Sequence, residues 1–244
     1  VTRGWPLSEV APRKFRKTLL RRILGSETDI QRPLDGVRVL ELGQIIAGTY
    51  GGQMLTDLGA EVIKVEAPVG DLGRLPSVAP YKHLSGLFLT FNRNKKSIVI
   101  DLKTEDGLAV FYELVKTADI VVDNFRPGVL AKLNVDYDDL KVINPRIIQC
   151  SVTGFGLEGE YKDLPALDII IQSISGLLSI TGEKDGPPAR VGIPISDLGG
   201  GIFSAQGLLA ALYEREKTGV GRRLEVSMFD AMLSLSSYVG TLWL

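Results

Sequence analysis

The residue of this sequence best placed to do chemistry is Asp197, which stands between an apolar run and three consecutive glycines. A stretch with helical periodicity follows, and it predicts a long helix from Gly199. Small neighbours let a substrate approach a carboxylate closely, and bare backbone N–H groups can donate to an oxyanion. A helix N-terminus would also help to keep the carboxylate ionised. The structural alternative, in which Ser196 or Asp197 simply caps the helix, fits the same residues.

Motifs for other kinds of catalytic site are absent from the sequence. It contains no Walker A sequence, no G-x-S-x-G elbow and no His/Cys spacing suited to a metal. The single histidine, His83, lies in a polar stretch and is expected at the surface, and the single cysteine, Cys150, can form no internal disulfide. Catalysis is therefore expected to rest on carboxylates, lysines, tyrosines or backbone groups, without a metal.

Residues Gly154–Gly159 match the pattern G-x-G-x-x-G directly after a predicted strand. A dinucleotide site needs a helix that opens at the last glycine, because the helix N-terminus holds the pyrophosphate. Pro165 and the polar residues before it argue against such a helix. The pattern predicts a flexible loop near a ligand rather than an NAD site.

Short β-branched runs alternate with amphipathic stretches along the chain, and this alternation predicts an α/β fold. We expect a Rossmann-like, doubly wound parallel sheet. Gly59 is the expected C-cap of the first helix, and Thr104 the expected N-cap of the second. Strands are predicted at residues 37–42, 61–66, 97–101, 120–122, 146–152 and 224–226, and helices at residues 47–58, 104–117, 138–143, 168–178, 199–217 and from 228 onward.

Charge is concentrated at the N-terminus. Residues 1–32 hold eight Lys/Arg and three acids, although the whole chain has a net charge of −1. Such an Arg-rich, acid-poor arm is typical of a mitochondrial transit peptide and predicts the matrix as the compartment; a disordered basic arm is the alternative. The near-neutral total predicts no nucleic-acid partner. Apolar runs stay below the ~18 residues that a membrane span needs, so no membrane partner is expected.

Ordered segments of the chain resemble one enzyme family, the class III CoA-transferases, which also includes α-methylacyl-CoA racemases. The resemblance covers residues 33–244 and is nearest to mitochondrial members that pass CoA from succinyl-CoA to glutarate or hydroxymethylglutarate. It is carried by Pro33–Leu42, Leu58–Pro68, Asn92–Ser97, Asp123–Gly128, Asn144–Ile148, Gly154–Gly156, Ser175–Gly176, Gly182, Asp197, Thr218–Arg223 and Met228–Met232.

The resemblance implies that Asp197 is a covalent nucleophile. Its attack on an acyl-CoA thioester would give a mixed anhydride, and returning CoA would convert that anhydride into an aspartyl-CoA thioester. A dicarboxylic acid would then take the CoA through a second anhydride. Coenzyme A is a substrate in this scheme, and no covalently bound cofactor is implied.

The resemblance also assigns CoA contacts to residues of the Rossmann-like domain. Arg126 matches a basic position that contacts CoA, and Leu102 and Lys103 match the adenosine side. For Lys103 and Lys132 the alternative is an ordinary solvated charge. The implied contacts are Leu102, Lys103, Asn124, Phe125, Arg126 and Lys132.

The pair Leu167-Asp168 separates the transferases from the racemases, which carry a histidine before the aspartate. Leucine cannot move a proton, so a racemase is disfavoured. Asp168 is expected to be a helix cap or a supporting acid, and it is the rival of Asp197 as nucleophile.

The expected domains are a basic arm at 1–32, a Rossmann-like CoA-binding and catalytic domain at 33–226, and a helix at 227–244 that leads toward a small domain missing from this chain. In the family, the small domain supplies a loop over the active site, and two full-length chains interlock as a homodimer. Three alternatives stay open: a non-catalytic truncated form, a racemase, and a nucleotide-binding oxidoreductase.

Overall fold

The structure, a computed structural model, describes residues 31–75 and 85–242. The predicted basic arm at 1–32 therefore lies almost wholly outside the described residues, as does His83 with its expected surface position.

Six parallel strands form one sheet, in the spatial order β3-β2-β1-β4-β5-β6. This order reverses between β1 and β4, which is the arrangement of a doubly wound nucleotide-binding sheet. The predicted Rossmann-like α/β fold is confirmed. The strands are β1 (Arg38–Glu41), β2 (Glu61–Glu66), β3 (Lys96–Val99), β4 (Ile120–Asp123), β5 (Ile148–Thr153) and β6 (Arg223–Ser227).

Helices connect the strands and cover both faces of the sheet. Thr104 caps α3 as predicted, because its hydroxyl accepts the Gly107 N–H at 3.1 Å. The helices are α1 (Ala47–Asp57), α2 (Gly86–Phe91), α3 (Glu105–Val115), α4 (Val129–Lys132), α5 (Tyr137–Ile143), α6 (Asp168–Ile174), α7 (Ile195–Thr218), α8 (Met228–Leu235) and α9 (Ser237–Thr241). The short helices α2 and α4 were not predicted, because one turn or two is too little for a periodic pattern to emerge.

Alternate residues of the central strands pack into two separate hydrophobic cores, one on each face of the sheet. Val39 packs with residues of α1 and α7 on one face, whereas Leu40 packs with residues of α3 and α5 on the other. This alternation follows from the two-residue period of a strand. A third, smaller core joins α6 and α8 beside the end of β5. The two covered faces leave the ends of the strands as the place where a ligand can enter.

Helix α7 spans 24 residues and is apolar enough, by length and composition, to cross a membrane. Half of that apolar window is buried inside the fold. Its buried side includes Ala205, Leu208 and Ala211, which lie in or beside the sheet core. The apolarity of α7 is therefore accounted for by its packing as a core helix.

Candidate active site

Asp197 lies in the first turn of α7, which begins at Ile195 rather than at Gly199 as predicted. The N-cap position belongs to Pro194, and no side chain of that segment caps the helix. The structural alternative, in which Ser196 or Asp197 caps the helix, is therefore wrong. The half-buried Asp197 side chain lines a cleft at the carboxyl ends of the strands, so it is placed where a ligand can reach it.

The three glycines after Asp197 allow close helix packing. A Cβ at Gly199 would lie 2.5 Å from Met232 Cε, and one at Gly201 would lie 2.9 Å from Tyr50 Cβ. A Cβ at Gly200 would lie 3.0 Å from the Cγ1 of Val152 in β5. All three glycines are inside the helix, where backbone N–H groups are committed to helical hydrogen bonds. The expectation that they are free oxyanion donors is thus wrong: they bring α7 against α1, β5 and α8.

The environment of Asp197 works against its charge. Burial raises the pKa of Asp197 to about 7, and the neighbouring Asp168 carboxylate acts in the same direction. Burial and Asp168 thus oppose the ionisation that the helix N-terminus was expected to favour. Among the described residues, no hydrogen-bond donor or cation pairs with the Asp197 carboxylate. The group is poised near neutral pH, which suits a carboxyl that alternates between an attacking anion and an uncharged acyl form.

Asp168 holds the start of α7 in place. Its Oδ1 accepts the Ser196 N–H at 2.8 Å, and its Oδ2 accepts Gln172 Nε2–H at 2.7 Å. These bonds satisfy one of the open N–H groups of the first turn of α7 and tie α6 to it. Asp168 thus has the supporting position that the sequence suggested. Leu167, which is 64% exposed, lines the same cleft and offers no group for proton transfer.

The cleft that contains Asp197, here called the acyl cleft, lies beyond the carboxyl ends of β1, β4 and β5. Two of its side chains are cationic, Arg126 and Lys162. Its lining consists of Ile45, Ile46, Ala47, Asn124, Phe125, Arg126, Pro127, Val152, Thr153, Gly154, Lys162, Leu164, Ala166, Leu167, Asp168, Asp197 and Met228.

A second cleft, here called the nucleotide-side cleft, lies beyond the ends of β1, β2 and β3. Leu102 and Lys103 line it, and Phe125 lines both clefts. Five of the six predicted CoA contacts therefore line one cleft or the other. The exception is Lys132, which is exposed at the end of α4 and is not among the residues that line these two clefts.

Asn124 secures the turn that follows β1. Its Oδ1 accepts the Gln44 N–H at 2.8 Å, and its Nδ2–H donates to the Gln44 carbonyl at 2.9 Å. The next residue, Ile45, has φ 62°, a left-handed conformation that is costly for a β-branched side chain, and its N–H donates to Asp71 Oδ1 at 3.1 Å. Because its amide is used in this way, Asn124 shapes the wall of the acyl cleft.

A buried group of four charges lies beneath this turn. Lys64 Nζ lies 3.1 Å from Glu41 Oε1, 2.7 Å from Asp71 Oδ2 and 2.7 Å from the Gly43 carbonyl. Lys95 Nζ lies 2.7 Å from Glu41 Oε2, and burial lowers the pKa of Lys95 to about 8 although Glu41 opposes the shift. Sequence reasoning missed this group. A signal was present, because charged residues in strands that a parallel sheet buries on both faces require partners.

Asp123, the last residue of β4, is buried and directly precedes the residues 124–127 that line the acyl cleft. Burial raises the pKa of Asp123 to about 6, although the Ser151 hydroxyl donates to its Oδ2 at 2.7 Å and the Phe125 N–H donates to its Oδ1 at 3.0 Å. The latter bond orients the segment that carries Arg126.

No group of three or more His, Cys, Asp or Glu suited to a metal ion occurs in the described part of the chain.

Comparison with known proteins identifies the family of the chain. Residues 34–242 match the profile of CoA-transferase family III. The chain is 43% identical over 205 residues to a succinate–glutarate CoA-transferase of Agrobacterium fabrum (81% of this chain, 51% of that protein). It is 45% identical over 214 residues to an acetyl-CoA:oxalate CoA-transferase of Acetobacter aceti (86% of this chain, 54% of that protein).

The solved structures show the same fold. The chain superposes on a CaiB/BaiF family protein from Brucella suis with a TM-score of 0.84 at 39% identity, covering 87% of this chain and 58% of that one. The chain spans about half the length of the curated relatives it matches. Because the profile match extends from the turn before β1 to the end of the described residues, the chain belongs to CoA-transferase family III.

Proposed function

We propose that this chain carries the nucleophile-bearing part of a CoA-transferase that takes CoA from succinyl-CoA, or a similar dicarboxyl-CoA, and passes it to a dicarboxylic acid such as glutarate or hydroxymethylglutarate. The observation that carries the proposal is the position of Asp197, a poised carboxylate in a cleft at the carboxyl edge of a nucleotide-binding type of sheet. Relatives named for succinate, glutarate, oxalate and mesaconate support small carboxylic acids as the substrate class.

The reaction proceeds by covalent exchange at the Asp197 carboxylate. Its attack on the thioester carbonyl breaks the C–S bond and forms an acyl–aspartyl anhydride with CoA thiolate. The thiolate attacks the aspartyl carbonyl, releases the donor as a free carboxylate and leaves an aspartyl-CoA thioester. The acceptor carboxylate displaces CoA to form a second anhydride, and the thiolate then attacks the acceptor carbonyl and regenerates Asp197.

The surrounding residues support these steps. Arg126 supplies a cation opposite a CoA phosphate, and the nucleotide-side cleft with Lys103 accommodates the adenosine end. Asp168 keeps the first turn of α7, and with it Asp197, in a fixed orientation. The raised pKa of Asp197 favours its uncharged acyl forms, whereas the anion is present in quantity at and above pH 7.

The test is to trap the intermediate. The chain is incubated with succinyl-CoA and treated with hydroxylamine, and peptide mass spectrometry then locates the resulting hydroxamate. The expected label is on Asp197, absent from Asp197→Asn and retained in Asp163→Asn, a change of an exposed loop carboxylate. Label on Asp168 would overturn the assignment of the nucleophile. No label at all would favour the alternative of a non-catalytic form, and solvent deuterium at the α-carbon of a branched acyl-CoA would favour a racemase.

We further propose the mitochondrial matrix as the compartment and a homodimer as the assembly of the full-length protein. The basic, acid-poor composition of residues 1–32 supports the first, and the family resemblance supports the second. Import of a fluorescent reporter fused to residues 1–32, and light scattering of the purified full-length protein, test the two separately.

A further inference from the structure

Lys162 is a cation of the acyl cleft that neither the family resemblance nor the supporting contacts around Asp197 use. The cleft contains two cations, Arg126 and Lys162, and two carboxylates, Asp168 and Asp197. Within residues 31–75 and 85–242, neither cation is engaged in an ion pair. Asp168 is satisfied by two N–H donors, so the cleft can accept anionic groups at both cations.

The loop that carries Lys162 is held against the body of the domain. The Leu164 N–H donates to the Tyr161 carbonyl at 3.0 Å, which closes a turn around Lys162. The Tyr161 ring packs edge-on against Phe155 at 5.9 Å, and Phe155 packs at 6.0 Å against Phe229 of α8. This series of rings fixes the turn at the mouth of the cleft.

The two ends of the same loop also touch. A side chain at Gly154 would overlap with Ala166, which packs against the Gly154 backbone. In addition, the Phe229 N–H donates to the Gly154 carbonyl at 3.0 Å. No helix begins at Gly159, because the next helix along the chain, α6, begins only at Asp168. The loop that was predicted to lie near a ligand lines the acyl cleft, and Lys162 belongs to its turn.

The order of the strands separates Lys162 from the nucleotide-side cleft. That cleft lies over β1, β2 and β3, Arg126 follows β4, and Lys162 lies in the loop after β5. Because neighbouring strands are ~4.8 Å apart, each step from β1 to β4 to β5 moves away from the nucleotide side. Along this order, a CoA thioester that enters from the nucleotide side would pass Arg126 before its acyl group reached Lys162.

We propose that Lys162 binds the distal carboxylate of the dicarboxyl substrate and so determines selectivity for dicarboxylic over monocarboxylic acyl groups. This inference rests on the proposed function and adds the recognition of the second acid group. An ammonium group on a flexible stem suits the task, because it can follow acids of somewhat different length.

The experiment compares two donors that differ only in the second carboxylate, succinyl-CoA and butyryl-CoA, using the protein and its Lys162→Gln and Lys162→Arg variants. Lys162→Gln is expected to lower kcat/KM for succinyl-CoA about 10- to 100-fold, the usual effect of losing a hydrogen bond to a charged group, and to change that for butyryl-CoA less than about twofold. Lys162→Arg is expected to retain most of the preference. The matched control is Lys184→Gln, an exposed lysine on the separate turn at residues 179–188, which is expected to leave both values unchanged.

An equal loss with both donors would overturn the proposal, since it would place Lys162 on a phosphate of CoA. An unchanged ratio in Lys162→Gln would overturn it as well. Calorimetric binding of the two thioesters gives the same comparison without turnover. If Asp197 forms no adduct, the proposed function fails, whereas a selective loss of succinyl-CoA binding in Lys162→Gln still supports the binding role of Lys162.

Discussion

The surroundings that make the Asp197 carboxylate reactive also lower the stability of the folded domain. The side chain is half-buried beside Asp168, and among the described residues no donor offsets the cost of its charge. A carboxylate that is poorly solvated and close to a second acid is a better nucleophile than one that is fully paired. The same surroundings make the ionised form costly for the folded domain, so the nucleophile should reduce the stability of the free protein.

Replacement of Asp197 by Asn is therefore expected to stabilise the fold, and the gain should depend on pH. In the unfolded chain Asp197 ionises near 3.8, whereas in the folded chain its pKa is about 7. The folded state thus holds a proton that the unfolded state releases, and wild-type stability falls as the pH rises from about 4 to about 7. Urea unfolding should show a gain for Asp197→Asn that is small at pH 4 and on the order of 2–4 kcal/mol at pH 8.

The control for this prediction is Asp163→Asn, which alters an exposed carboxylate of the loop before α6. Its unfolding free energy should follow that of the wild type across the range. Parallel curves for the wild type and Asp197→Asn between pH 4 and pH 8 would contradict the buried-charge account.

At this scale the sequence singled out Asp197 as the candidate nucleophile but did not predict its surroundings. Asp197 stood out because of its glycines and the family resemblance, and the structure places it in the acyl cleft. Burial and the neighbouring Asp168 raise the pKa of Asp197, and Lys162 lines the same cleft; both Asp168 and Lys162 are distant from Asp197 along the chain. Contacts of this kind arise only when the loop after β5 closes on itself, which local patterns do not encode.

At the scale of elements, α7 is the centre of the domain. Its first turn carries Asp197, its glycines contact α1, β5 and α8, and its later residues enter the sheet core. Because the glycines bring the backbone of α7 into close contact with these elements, α7 can shift little relative to them. The position of Asp197 therefore follows from helix packing that extends well beyond the cleft.

Adding one methyl group at Gly201 should disturb this packing. Its Cβ would lie 2.9 Å from Tyr50 Cβ and 3.1 Å from the Ala47 carbonyl, and neither backbone nor Cβ atoms can swing away. We expect Gly201→Ala to lower the free energy of unfolding by about 1–3 kcal/mol, measured by urea denaturation. The matched control is Gly207→Ala in the same helix, where the nearest atom, Leu224 Cδ1, is 3.7 Å from the added Cβ. That variant should gain about 0.5–1 kcal/mol, and equal losses in both would refute the account.

Most elements were predictable because their periodicity is strong. The structure confirms all six predicted strands with small changes in their ends, and it confirms Thr104 as a helix cap. The start of α7 was predicted four residues late, at Gly199 rather than at Ile195, because local patterns define the boundaries of an element less well than its existence. Three consecutive glycines disfavour a helix locally, and tertiary packing outweighs that preference here, since an added Cβ would lie 3.0 Å or less from a neighbouring atom at each of the three positions.

At the scale of the whole molecule, the two clefts share one edge of the sheet on either side of the point where the strand order reverses. The nucleotide-side cleft uses the ends of β1, β2 and β3, and the acyl cleft uses those of β1, β4 and β5. Phe125 lines both. A long ligand such as a CoA thioester can therefore lie across the strands with its two ends in different clefts.

Hydrogen exchange with bound CoA tests this placement. CoA should slow amide exchange in residues 42–46, 100–103 and 124–127, all at the carboxyl edge, and should leave residues 34–37, 117–119 and 144–147 at the opposite edge unchanged. Phosphopantetheine, which lacks the adenosine but keeps a phosphate for Arg126, should still protect 124–127 but not 100–103, because it cannot fill the nucleotide-side cleft. Protection at the opposite edge, or the same pattern with both ligands, would contradict the arrangement. The expected result is protection of 124–127 by both ligands and of 100–103 by CoA alone. It would support an approach of the thioester to Asp197 across the point where the strand order reverses.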